Sequence, residues 1–116
     1  MLGGLGNIAG MLKQAKEMQS RMGEVQAELA NRRFESEAGG GMVKATVDGR
    51  GMLVDIRIEP QAVADVELLE DLVRAAVGSA AQRAQEAAKA EMAKLTGELN
   101  LASLSDLLGG GAAGGT

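Results

Sequence analysis

Five cations in the first 34 residues are the clearest chemical feature of this 116-residue chain, because they could contact phosphate groups. They are Lys13, Lys16, Arg21, Arg32 and Arg33. Lysine and arginine at phosphates give salt-dependent binding to duplex nucleic acid that is largely independent of sequence. The net charge of −4 argues against a simple basic nucleic-acid binder. A solvated helix face stabilised by salt bridges is therefore an equally good interpretation of these cations.

Catalytic and metal-binding chemistry have few candidate residues. Cys and His are absent, which removes thiolates and the commonest general base and metal ligand. Gly39–Gly41 precede Lys44, but a phosphate loop requires Gly-Lys-Ser/Thr and a following helix, and here a strand pattern follows. The acids Glu67, Glu70 and Asp71 at a helix start suit the helix dipole better than a metal ion. We predict no enzyme activity, no cofactor and no metal site.

The composition indicates one soluble domain. The chain is 46% hydrophobic and 24% charged, and no apolar run approaches the roughly 18 to 20 residues of a membrane span. The N-terminus has no positively charged region before its apolar part, so we expect a cytoplasmic protein without a secretory signal. Phe34 is the single aromatic residue, which disfavours sequence reading of single strands by base stacking.

The element that organises the chain is a predicted hairpin at residues 39–60. Apolar and polar residues alternate on both sides of the turn Asp48–Gly51, with the period of two that is typical of half-buried strands. Asp-Gly favours such a turn because glycine tolerates positive φ. A weak strand at 33–37 completes a three-stranded antiparallel sheet. Its expected apolar face consists of Val43, Ala45, Val47, Val54, Ile56 and Ile58.

Long helices flank the hairpin. Asn7 is the predicted N-cap of the first, whose apolar residues follow a heptad seam: Ile8, Met11, Ala15, Met18, Met22, Val25 and Leu29. Asp65 is the predicted N-cap of the second, which we expect to end at Gly97. We predict one domain over residues 1–98. Residues 99–116 form a Leu-rich and then Gly/Ala-rich tail, expected to be partly disordered after a short docked turn.

A single copy leaves too much apolar surface uncovered. Helices of this length would extend beyond a three-stranded sheet, and exposed seams and sheet edges normally mark an interface. The expected fold is α+β, a two-layer protomer of long helix, three-stranded antiparallel sheet and long helix, forming a twofold dimer with projecting helical arms. Residues expected in the dimer interface are Met18, Met22, Val25, Val43, Val47, Val54, Ile56 and Ile58.

Four segments carry a family resemblance: LKQAKEMQSRM on the first helix, GGGMVKATVDGRG at the hairpin, IEP before the connector, and LLEDLVRAAVGSAAQRAQEAAKAEMAKLTGEL on the second helix. Together they resemble the YbaB/EbfC family of bacterial nucleoid-associated proteins over nearly the whole chain. The resemblance implies a cytoplasmic homodimer in the nucleoid that binds DNA and alters its conformation. It adds Lys44 and Lys94, which lie in the family motifs, to the candidate contacts. The full set is Lys13, Lys16, Arg21, Arg32, Arg33, Lys44, Arg83, Lys89 and Lys94.

Two functional hypotheses follow. In the first, the dimer binds duplex DNA with little sequence specificity through phosphate contacts and organises it. In the second, the chain is a dimeric adaptor with weak DNA binding, and its Met-rich seam or Leu-rich tail recruits a replication or recombination protein. The salt dependence of duplex binding distinguishes the two, because phosphate contacts weaken steeply as salt rises.

Overall fold

The computed structural model describes the backbone of residues 2–115 and the side chains of residues 7–98. The order of elements is that of the predicted α+β fold. They are α1 (Leu2–Asn31), β1 (Arg33–Ala38), β2 (Val43–Asp48), β3 (Leu53–Ile58), a 3-10 helix (Pro60–Ala64) and α2 (Val66–Gly115). The chain forms two compact units, Gln26–Ala90 and Met1–Val25 with Glu91–Thr116. The first unit contains the sheet.

Helix boundaries differ from the sequence prediction at two places. Asn7 lies inside α1 and does not cap it, and α2 passes through Gly97. A glycine within a helix lowers the stability of the helix by about 1 kcal/mol relative to alanine. A long helix rich in good helix formers such as Glu, Lys and Leu tolerates this loss. The expectation for the tail, residues 99–116, falls outside the described side chains.

The start of α2 is as predicted. The backbone N–H of Leu68 donates to Oδ1 of Asp65 at 3.1 Å, so Asp65 is the N-cap. The preceding 3-10 helix begins at Pro60, whose fixed φ suits the first position of a helical turn.

The core lies between one face of the sheet and α2. Val43, Ala45 and Val47 alternate along β2, the central strand, and all three are fully buried. They cluster with alanines spaced four residues apart on α2, where small side chains let the helix approach the sheet closely: Ala76, Ala80 and Ala84. The predicted apolar face of β2 is therefore confirmed, and α2 of the same chain covers it.

The pairing of β2 with β3 contains a register shift between Thr46 and Val47. Thr46 pairs with Asp55, but Val47 pairs with Leu53, so Val54 is the extra residue of a bulge. Leu53, rather than Val54, therefore lies opposite Val47. The sequence gives no signal for this shift, because apolar and polar residues alternate in both strands before and after the bulge.

The β2–β3 turn is hydrogen-bonded to the end of α1. The N–H of Gly49 donates to the carbonyl of Leu29 at 2.8 Å, and a Cβ at Gly49 would lie 2.2 Å from that same oxygen. The carboxylate of Asp48 accepts hydrogen bonds from the backbone amides of Arg50 (2.8 Å) and Met52 (3.1 Å). Position 49 thus needs glycine because of the close approach of the helix end.

Candidate nucleic-acid interface

Lys13 and Lys16 are the two predicted lysines of α1. They lie three residues apart, on one face of the helix, and both are exposed. Their face is turned away from the heptad seam that contains Met11 and Met18. Neither ammonium group forms an ion pair with a residue between 7 and 98. Their charges are therefore available to an external anion.

Arg21, on the same helix, is partly compensated. Its guanidinium lies 2.7 Å from a carboxylate oxygen of Glu98, and both side chains are more than half exposed. An exposed pair of this kind contributes about 0–1 kcal/mol to stability. A phosphate could displace Glu98 at modest cost, but Arg21 offers less net attraction than Lys13 or Lys16.

Arg32 and Arg33 have structural roles at the junction of α1 and β1. The Arg32 guanidinium lies 5.0 Å from the centre of the Phe34 ring, a cation–π arrangement. Arg33 donates to the carbonyl oxygens of Ala30 (2.9 Å) and Arg32 (3.1 Å) and so satisfies acceptors at the end of α1. The carbonyl partners of Arg33 are neutral, and this arginine remains a source of positive charge.

Lys44 lies on the sheet face opposite α2, where acids surround it. Its Nζ lies 3.2 Å from Oε1 of Glu35, and its neighbours across the strands are Glu37 and Arg57. Arg57, which sequence reasoning did not select, pairs with Asp55 at 3.5 Å. These five residues carry three negative and two positive charges. This face is therefore self-compensated and offers little net attraction to an anion.

The cations of α2 fall into two groups. Arg83 donates to the backbone carbonyl of Glu35 and is thereby tied to β1, close to the hydrogen bond that joins the hydroxyls of Ser36 and Ser79. Lys89 and Lys94 are exposed and form no ion pair within the described part of the chain. Two further arginines that sequence reasoning passed over, Arg50 and Arg74, each pair with an acid, Asp48 and Asp71.

The structure separates the predicted interface residues by exposure. Val43 and Val47 are fully buried under α2, which leaves their side chains inaccessible to a second copy in this conformation. Ile56 is half-buried and packs against the core. Val54 and Ile58 are exposed on β3, which is an edge strand. In the heptad seam, Met18 is exposed and Met22 and Val25 are half-buried.

The unit Gln26–Ala90 exposes further apolar residues in β3 and in the segments next to it along the chain. Leu53 and Val54 each retain 49% exposure. Further exposed members lie in the turn before β3, in the 3-10 helix and at the start of α2: Met52, Val63, Val66 and Leu68. We call Leu53, Val54 and Ile58 with these four residues the β3 surface. Sequence reasoning missed its second half, since a short apolar connector gives no periodic signal.

The described residues offer neither a metal site nor a membrane span. They contain no cluster of three or more His, Cys, Asp or Glu side chains that could hold a metal ion. Within the same part of the chain, no helix combines the length and the apolar character needed to cross a bilayer.

Comparison with known proteins gives a consistent result. The profile of the YbaB/EbfC DNA-binding family matches residues 4–99. A nucleoid-associated protein of Thermoanaerobacter pseudethanolicus is 51% identical over 100 residues, covering 84% of this chain and 90% of that protein. One from Pelotomaculum thermopropionicum is 46% identical over 101 residues, covering 85% and 96%.

A solved structure shows the same fold. The crystal structure of an uncharacterized protein from Helicobacter pylori superposes with a TM-score of 0.69 at 22% sequence identity, covering 77% of this chain and 92% of that one.

Proposed function

The chain belongs to the YbaB/EbfC DNA-binding family, and on this premise we propose that it is a nucleoid-associated protein that binds duplex DNA through phosphate contacts with little sequence specificity. The observation that carries the proposal is the set of exposed lysines without an acidic partner among residues 7–98: Lys13, Lys16, Lys89 and Lys94. Binding by these groups releases counterions from the duplex and makes no contact that reads a base edge.

Local charge explains how an acidic chain could bind DNA. The net charge of −4 repels DNA at long range, but salt screens exposed charges beyond about 8–10 Å. Within that distance a phosphate beside Lys13 and Lys16 meets two uncompensated ammonium groups. Compensated cations such as Lys44 contribute little, because a phosphate there must also approach Glu35.

A second copy of the chain would strengthen this binding. The proposed dimer forms through the β3 surface, which combines an unpaired strand edge with exposed apolar side chains. A twofold dimer presents every lysine twice, so its salt dependence should be correspondingly steeper.

The DNA proposal is tested by fluorescence anisotropy with a labelled duplex over a salt series. Neutralising Lys13→Gln with Lys16→Gln should weaken binding several-fold and reduce the salt slope by about 1 to 2 units per protomer, because each phosphate contact contributes about 0.9. The control is Lys44→Gln, which removes one positive charge where the double variant removes two, from a lysine already paired with Glu35, and it should weaken binding by much less than half as much. Two duplexes of equal length and different sequence should bind equally.

Binding that does not respond to salt would contradict this proposal and favour the second candidate, a dimeric adaptor for a replication or recombination protein. One observation supports that alternative. The N-terminal half of the heptad seam on α1 is exposed, as at Met11 and Met18, and apolar helix faces are common docking sites for partner helices.

A further inference from the structure

The backbone hydrogen bonds of β2, the central strand, show which residues face each edge of the sheet. The N–H of Asp48 donates to the carbonyl of Met52 at 2.9 Å, and the carbonyl of Met42 accepts from the N–H of Glu59 at 2.8 Å. Asp48 and Met42 therefore turn their backbone groups towards β3. Because successive residues of an antiparallel strand alternate between its two neighbours, every second residue from Met42 to Asp48 bonds to β3, and the residues between them bond to β1.

This alternation identifies the backbone groups at the free edge of β1. The residues of β2 that bond to β1 have three register partners there: Phe34, Ser36 and Ala38. The other three residues of β1 turn their N–H and carbonyl groups away from the sheet: Arg33, Glu35 and Glu37. The free edge of β1 thus carries charged residues only.

Arg83 of α2 reaches this free edge. Its guanidinium donates to the carbonyl of Glu35, the middle one of the three outward residues. Ser79 lies four residues earlier on the same side of α2, and its hydroxyl is hydrogen-bonded to the hydroxyl of Ser36 at 2.7 Å. This second contact holds β1 against α2 beside Arg83. A strand that added to β1 would have to displace the Arg83 side chain to pair with the Glu35 carbonyl.

The free edge of β3 differs from that of β1 in both respects. By the same alternation, Ile56 and Ile58 turn their backbone groups away from β2. These residues are apolar, and Ile58 is 40% exposed. Among the described residues, no side chain makes a hydrogen bond to the backbone of β3 that corresponds to the bond from Arg83 to β1. The sheet therefore has one protected edge and one open edge.

We propose that Arg83 protects the β1 edge and thereby restricts the addition of a second copy to β3. Natural sheets block a free edge with charged side chains or a covering helix, because an open edge pairs with another strand. With one open edge per copy, association through that edge closes after two copies, whereas two open edges allow further copies to add. The closure at two copies rests on the dimer proposed above, but the protection of β1 does not.

The test compares the natural full chain with Arg83→Met, which removes the guanidinium and keeps an unbranched side chain. Light scattering over a concentration series should give this variant a molar mass at least about twofold above that of the natural chain, because β1 is then open to a further copy. The matched control is Arg74→Met on the same helix, which removes the same charge from a residue paired with Asp71 at 3.1 Å and should keep the natural mass. Arg83→Lys retains a charged donor and should also stay close to the natural mass.

Hydrogen exchange identifies the edge that the larger assemblies use. In assemblies of Arg83→Met, the amides of Glu35 and Glu37 should exchange more slowly than in the natural chain, since an added strand pairs with them. A variant that is only destabilised would exchange faster. Unchanged mass for Arg83→Met, equal growth of Arg74→Met, or larger assemblies without added protection of β1 would each overturn the inference.

Circular dichroism first establishes that the variants are folded. Arg83→Gln, whose side chain is too short to reach as far, takes the place of Arg83→Met if that variant does not fold. Unfolding of both would show that Arg83 acts on stability alone, and this too would overturn the inference. The mass of the natural chain tests the β3 dimer separately, and the salt series tests DNA binding, so failure here leaves each of those proposals to its own measurement.

Discussion

The individual cations of this chain differ in what surrounds them. Lys13, Lys16, Lys89 and Lys94 have no acidic partner among residues 7–98. Arg21 and Lys44 have one at 2.7 and 3.2 Å, and Arg83 is held by a backbone carbonyl. Attraction for phosphate depends on this local compensation more than on the total charge, because salt largely screens exposed charges that lie more than about 10 Å apart.

Asp48 is a buried acid whose surroundings favour its charged form. Burial by itself raises the pKa of Asp48. Hydrogen bonds from the backbone amides of Met52 and Arg50, together with the Arg50 guanidinium, lower the pKa by more than burial raises it. The pKa of Asp48 is therefore below its usual value of 3.8. The native state therefore favours the carboxylate. Its contribution to stability is present above the unfolded pKa and is lost as pH falls through the folded pKa.

We expect Asp48→Asn to lower the free energy of unfolding at neutral pH, because the amide lacks the charge that the turn stabilises. The difference from the natural chain should shrink as pH falls below about 4, where the unfolded carboxyl becomes protonated. Urea midpoints measured from pH 7 to pH 3 check this. The control Asp55→Asn, on an exposed residue paired with Arg57, should show a much smaller effect. A pH-independent difference would show that charge is not the cause.

Among the secondary-structure elements, the β2–β3 turn makes a close backbone contact with the end of α1. Its Gly49 meets the last turn of α1 at the carbonyl of Leu29, so the hairpin and the helix end can pack only if position 49 has no side chain. The same turn contains Gly51 at φ 85°, a conformation that favours glycine.

Gly49→Ala should lower stability by about 1–3 kcal/mol, since either the turn or the end of α1 must move to admit a Cβ. The matched control is Gly78→Ala within α2, where a Cβ would meet nothing within 4 Å. That variant should be stabilised by about 1 kcal/mol, because alanine is the better helix former. Thermal and urea unfolding measure both. Equal stability of the two variants would contradict the packing described for the turn.

At the scale of the molecule, the sheet has an open edge with exposed apolar residues. α2 covers β2, but β3 is an edge strand with Leu53 and Val54 half exposed. A second copy that covers this surface would remove both the open edge and the apolar patch.

We expect the natural chain to be a dimer by light scattering and Val54→Asp to be a folded monomer. Val54 is half exposed, so an aspartate costs little in one copy but would be buried without a partner in the dimer. Leu12→Asp, which introduces the same charge at an exposed residue of α1, is the control and should remain dimeric. A natural chain that is monomeric at micromolar concentration, or a Val54→Asp dimer, would contradict the proposed interface.

Much of the fold was predictable because its signals are local. Alternation in β2 identified Val43, Ala45 and Val47 as the inner face, and Asp65 was recognisable as an N-cap from its position before an apolar period. Helix ends were less predictable. Asn and Gly are residue types common at helix boundaries. Asn7 and Gly97 nevertheless lie within α1 and α2, where the neighbouring residues continue the helix.

The sequence by itself determined the order of elements, the buried face of β2 and the family. Tertiary structure alone decided which cations are compensated, because Arg21 meets Glu98 and Arg83 meets Glu35 across distant parts of the chain. It also decided the bulge at Val54 and the covering of Val43 and Val47 by α2. The physical reason is that periodicity records which side of an element is apolar, whereas the identity of the group that covers it depends on pairing in three dimensions.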